Sequence, residues 1–105
     1  MNAIRRGTTP LLTCRITDNT DISNIKTVWL YITQGDKVVI DKLTDDVTIS
    51  GKSVSVRLTQ EETLLLKAGV MAYVQMRLLL SSDLAYATQQ DYVPVEDVGK
   101  DGVIV

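Results

Sequence analysis

The chain has 105 residues, 45% of them hydrophobic and 23% charged, with a formal net charge of -2 and a pI near 4.9. That length fits one domain able to bury roughly 65% of its unfolded surface, and the composition argues against disorder along the whole chain. The acidic balance argues against a nucleic-acid binder, which carries a basic face; only Arg5, Arg6 and Arg15 concentrate positive charge.

The first predicted element is a strand over residues 10–16, with Leu12, Cys14 and Ile16 on one face and Pro10 at its start, where a missing amide does no harm. Thr17-Asp18-Asn19-Thr20-Asp21 reads as a polar loop. Residues 25–34 predict a strong second strand. Val28, Leu30 and Ile32 share one face, and Thr27, Trp29, Tyr31 and Thr33 the other. Gln34-Gly35-Asp36 is a tight turn leading into a hairpin partner over residues 37–43. After Thr44-Asp45-Asp46, Val47-Thr48-Ile49 and the alternating run Val54, Val56, Leu58 predict a second hairpin around Gly51.

Thr59-Gln60-Glu61-Glu62 has the form of a capping box, in which a threonine oxygen and a glutamate carboxylate satisfy the first amides of a helix. The helical turn stops at Lys67 and Gly69, a cation and a glycine suited to a left-handed cap. Residues 70–80 then predict the longest strand. Val70, Ala72, Val74, Met76, Leu78 and Leu80 lie on one face, and Met71, Tyr73, Gln75, Arg77 and Leu79 on the other. A final strand is expected over residues 84–93, with Tyr86, Thr88, Gln90 and Tyr92 on one side and Pro94 ending or bending it. The expected fold is all-β: an antiparallel, immunoglobulin-like β-sandwich of about seven strands with one short helical turn near 59–67. One domain spans 1–105, with residues 1–8 expected as a mobile arm and 95–105 as a tail that is either a short edge strand or a mobile arm.

Reactive chemistry is sparse. There is no histidine, which removes the commonest general base and metal ligand. Cys14 is the single cysteine; it excludes an internal disulfide, fits a reducing compartment, and reads as a buried, inert thiol. Each carboxylate has a local explanation as turn former, cap or solvated edge, so no catalytic residue is assigned. Asp18-Asn19-Thr20-Asp21, with Asp45 and Asp46, could hold calcium, but it lacks the spacing of an EF-hand loop. No metal and no cofactor are expected. There is no run of about 18 apolar residues, so no membrane insertion is expected, and the first ten residues lack the apolar stretch of a signal peptide.

The most suggestive feature is aromatic. Trp29, Tyr31, Tyr73, Tyr86 and Tyr92 would form a candidate interaction surface if they met on one sheet. In the competing reading Trp29 and Tyr73 fill the core and the other tyrosines cap its rim; the absence of phenylalanine favours that reading. The hairpin lysines Lys37 and Lys42 either guard an edge strand or mark a pairing surface.

Gly7-Thr8-Thr9-Pro10, Asp21 to Val28, Tyr31 to Val39, Leu58 to Leu64, Lys67-Ala68-Gly69, Val74-Gln75-Met76-Arg77 and Lys100 to Ile104 occur together here. The combination resembles small uncharacterised prophage proteins of Gram-positive bacteria over nearly the whole chain. As an architectural pattern with little residue identity, it is also similar to the N-terminal immunoglobulin-like domain of phage baseplate upper proteins. The resemblance implies a non-enzymatic phage structural or assembly protein, a tail or baseplate accessory or adaptor. Its partners would be phage structural proteins or further copies of itself, and its location the virion or the host cytoplasm during assembly. The alternative is a carbohydrate- or host-surface-binding module using the aromatic face.

Overall fold

A computed structural model describes residues 2–16 and 24–105. The polar loop and its calcium reading at Asp18 to Asp21 lie outside the described residues, as do the first three residues of the Asp21 to Val28 motif.

The chain is all-β. Its described residues form ten strands: β1 (Ile4–Arg5), β2 (Leu11–Arg15), β3 (Ile25–Gln34), β4 (Lys37–Leu43), β5 (Thr48–Ser50), β6 (Ser53–Arg57), β7 (Ala72–Leu80), β8 (Ala85–Ala87), β9 (Asp91–Val93) and β10 (Val95–Glu96). A 3₁₀ turn at Thr44–Asp46 follows β4, and a helical turn, α1 (Gln60–Leu64), joins β6 to β7. The strands are arranged in two antiparallel sheets, β2-β6-β5 and β4-β3-β7-β8, with β9 also on β7, plus a short parallel pair, β1 with β10.

Period-two alternation decides which faces meet. Leu12, Val54 and Val56 from the smaller sheet join Val28, Leu30, Ile32, Ile40, Val74, Met76, Leu78 and Val93 from the larger in one buried cluster. Aliphatic side chains and a methionine fill this β-sandwich core, and no aromatic ring enters it. Burying each such side chain contributes roughly 1.5–3 kcal/mol, so this cluster is the main stabilising element.

The connection from β6 to β7 follows the expected chemistry. The Glu62 amide donates to Thr59 Oγ1 at 3.1 Å, and the Thr59 amide donates to Glu62 Oε1 at 2.9 Å, a complete capping box. The helix ends earlier than expected, at Leu64 with Leu65 as a right-handed C-cap, and Gly69, at φ 75°, serves a separate turn ahead of β7. Polar side chains fasten the helical segment to its surroundings. Thr63 is fully buried and its hydroxyl donates to the Thr8 carbonyl at 2.9 Å. The buried Gln34 amide donates to Lys67 O and Val70 O at 2.8 and 3.2 Å and accepts from the Lys67 amide at 2.9 Å.

Three expectations need correction. The final strand is not continuous: β8 and β9 are separated at residues 88–90, where Thr88 turns its hydroxyl to the Met76 amide at 3.0 Å and its own amide to the Met76 carbonyl at 2.9 Å. The long strand begins at Ala72, leaving Val70 exposed ahead of it. The segments expected as arms include paired backbone, because Ile4 sits opposite Val95 and Arg5 opposite Glu96 in parallel register, with Ile4 and Val95 buried. The edge-strand reading of the tail holds for Val95–Glu96, but its partner lies 91 positions away and no local alternation announces the pairing.

Candidate interaction surface

The outward face of the larger sheet carries the aromatic residues. Directly opposite residues in an antiparallel pair share a face, so register alone assembles this surface. Trp29 on β3 lies between Leu43 on β4 and Arg77 on β7; Tyr31 lies between Asp41 and Gln75; Thr33 lies between Val38 and Tyr73. Tyr73 in turn faces Tyr92 on β9. Four of the five sequence-predicted residues, Trp29, Tyr31, Tyr73 and Tyr92, are therefore on one sheet face.

Tyr86 is not. It sits opposite Leu78, a core residue, so its ring is on the inward side at one end of the sandwich. There it lines a shallow cavity of about 240 Å³ with Asn24, Leu80, Ser81, Ser82 and Leu84. The break at Thr88 reverses the alternation between β8 and β9, which is why Tyr86 and Tyr92 fall on opposite faces although they are an even number of positions apart.

The reading in which Trp29 and Tyr73 fill the core is overturned. Trp29 is 45% exposed and opposite an exposed arginine, and Tyr73 is half-buried on the same outward face. The missing phenylalanine volume is supplied by Leu30, Ile32, Leu58, Leu66 and Met76, all under 2% exposed. Leu66, two residues past α1, is buried, while Leu65 projects outward.

Neighbours hold the aromatic side chains in place. The Arg77 guanidinium carbon lies 5.1 Å from the centroid of the Trp29 ring, a cation–π contact worth about 0.5–1 kcal/mol at an exposed site. The Tyr31 hydroxyl donates to Gln75 Oε1 at 2.8 Å, and Gln75 Nε2 donates to the Thr88 carbonyl at 2.8 Å. Tyr73 and Tyr92 meet edge-to-face with centroids 6.0 Å apart and planes at 63°. Leu43, Val38 and Met71 add exposed apolar surface at the margins. A face so ordered loses little side-chain entropy when something docks on it.

Several charged groups elsewhere hold the fold together. Arg6 donates to Leu66 O at 2.8 Å and Leu64 O at 3.1 Å, and to Asp97 and Asp101 at 2.7 and 2.9 Å. Those bonds, to Asp101 first and then Asp97, raise its affinity for its proton. The same contact and the Val98 amide hold the Asp97 carboxyl below its usual value. Lys42, expected either to guard an edge strand or to mark a pairing surface, turns to Glu62 at 2.7 Å and ties β4 to the helical turn. Burial pushes the Glu62 carboxyl up, but the Lys42 ammonium and the Thr59 amide outweigh it and keep it below the usual carboxylate range. Burial, with Asp91 nearby, pushes the Cys14 thiol up to about 11, so it is a poor nucleophile at neutral pH.

Among the described residues no cluster of three or more Cys, Asp or Glu side chains could hold a metal ion, and no helix is long and apolar enough to cross a membrane. No protein-family model matches the chain, and no curated protein sequence matches it significantly.

Proposed function

We propose that this protein is a non-enzymatic phage or prophage structural or assembly module, a tail or baseplate accessory or adaptor that works by protein–protein contact. The observation that carries the reading is the outward face of the larger sheet, where Trp29, Tyr31, Tyr73 and Tyr92 stand pre-ordered beside Arg77. Tryptophan, tyrosine and arginine are the residues that dominate binding energy at protein interfaces, and contiguous apolar patches on a soluble domain mark docking sites. The resemblance to prophage proteins supplies the setting: the virion, or the host cytoplasm during assembly.

The strand order supports the finer, immunoglobulin-like description. One sheet of β2-β6-β5 faces another of β4-β3-β7 with β8 and β9, a helical turn crosses between β6 and β7, and β1 pairs in parallel with β10. We read β2-β6-β5 as the B-E-D strands and β3-β7 with β8 and β9 as the C-F-G strands of such domains, with β4 an added strand at the sheet edge. The tryptophan departs from the antibody pattern, since Trp29 faces outward and no cysteine pair accompanies it.

A carbohydrate-binding module is the second reading, because sugar rings stack on exposed aromatic rings. Arg77 over the Trp29 ring disfavours it, since a stacked sugar would have to displace the guanidinium. Mass spectrometry of purified induced virions tests the proposed function. The expected result is this chain at a fixed ratio to the tail proteins; its consistent absence from virions and from assembly intermediates would overturn the reading.

A further inference from the structure

The outward sheet face carries two charges at its paired positions, and they are opposite in sign. Arg77 on β7 is level with Trp29, and Asp41 on β4 is level with Tyr31. Neither has an ion-pair partner among the described residues: Arg77 rests on the Trp29 ring, and the salt bridges of the chain involve other groups. Because β3 lies between β4 and β7, the diagonal from Arg77 to Asp41 crosses β3 between Trp29 and Tyr31. From strand spacing and rise, that diagonal is roughly 12 Å long, too far for the two groups to pair within one chain.

A face with one cation and one anion placed symmetrically about its aromatic centre is complementary to itself. Resting on the reading of this face as an interaction surface, we propose that its occupant is a second copy of the same chain, docked face to face about a two-fold axis between Trp29 and Tyr31. The axis sets each Arg77 guanidinium against the Asp41 carboxylate of the other copy, forming two equivalent ion pairs. Trp29 and Tyr31 of both copies fill the space between them. This is the isologous pattern of a closed dimer, in which residue i meets residue j and j meets i.

The size of the face sets the strength. Four strands across and about seven residues along cover roughly 500 Å² per copy once the side chains are counted, below the roughly 800 Å² per partner of a standard stable interface. The dimer is therefore a weak, reversible one, of the kind that repetition in a symmetric particle strengthens by avidity.

Sedimentation velocity over a concentration series, on the intact chain and on two charge-reversal variants, tests the proposal. The wild-type chain should shift from monomer to dimer as its concentration rises toward about 1 mM, with a dissociation constant in the micromolar to millimolar range. Arg77→Glu alone and Asp41→Lys alone should each weaken self-association about tenfold or more, since each puts like charges opposite each other at both contacts. Mixing the two variants should restore it, because the mixed dimer regains both opposite-charge pairs. Both variants should still unfold cooperatively, Asp41→Lys near the wild-type melting temperature and Arg77→Glu a few degrees lower from the lost Trp29 contact, which separates loss of docking from loss of folding. A wild-type chain that stays monomeric at about 1 mM would overturn the dimer. So would a mixture that associates no better than its separate components. Either outcome is independent of the virion measurement above, which judges the assembly role by itself.

Discussion

The two ends of the larger sheet's chemistry make opposite uses of similar materials. On the outward face, the rings of Trp29, Tyr31, Tyr73 and Tyr92 are turned to solvent and braced by Arg77 and Gln75. At the helical junction, polar side chains are turned inward onto backbone: Gln34 on Lys67 and Val70, Thr63 on Thr8, Arg6 on Leu64 and Leu66. The difference separates what holds this fold from what it presents. Buried polar groups with every bond made fix a unique geometry at the junction, whereas exposed rings contribute little to folding and are available to bind.

The comparison can be tested from its strongest expected effect downward. Leu30→Ala, which hollows the shared core, should cost about 3 kcal/mol and lower the urea midpoint accordingly. Gln34→Ala removes the side chain that satisfies the Lys67 amide and two carbonyls, and should cost about 2 kcal/mol in the same assay. Thr59→Ala breaks the capping box and should cost about 1 kcal/mol. Trp29→Ala should cost about 0.5–1 kcal/mol, chiefly the lost contact with Arg77, while abolishing contact through the face. A Trp29→Ala variant as unstable as Leu30→Ala would collapse the distinction between the two regions.

Acid should act on the junction. The Glu62 and Asp97 carboxyls are both held below their ordinary values in the folded chain. Their contribution is present above the ordinary carboxylate range and is lost as pH falls through the lower folded values. Thermal melting should therefore decline as the solution is taken from neutral pH to below about pH 4, and Lys42→Met should flatten the part due to Glu62. The sign reverses for Cys14, whose thiol is pushed up to about 11: its contribution is complete below its ordinary value and is lost as pH rises through the folded one.

Much of this was legible in the sequence, and the failures have physical causes. The bounds of β3 and β4, the hairpin at Gly51 and the capping box at Thr59 follow from alternation, turn residues and local spacing, all of which act within a few positions. The pairing of Ile4 with Val95 is non-local and two residues long, so no local pattern announces it. The break at Thr88 depends on a hydroxyl reaching the Met76 amide, which only the folded neighbour supplies. For Trp29 the alternation placed it correctly opposite the Val28, Leu30 and Ile32 set; the error was to expect that a chain without phenylalanine needs its rings inside. Leucine, isoleucine and methionine fill that volume here, and the freed rings became the candidate site.

The most direct measurement is acrylamide quenching of Trp29, the single tryptophan, in dilute native protein. With the indole 45% exposed on the outward sheet face, its emission should be red-shifted and readily quenched before unfolding and only modestly more so after it. A blue-shifted emission protected from acrylamide until the chain unfolds would place the indole in the core and contradict the exposed aromatic face on which the functional reading stands.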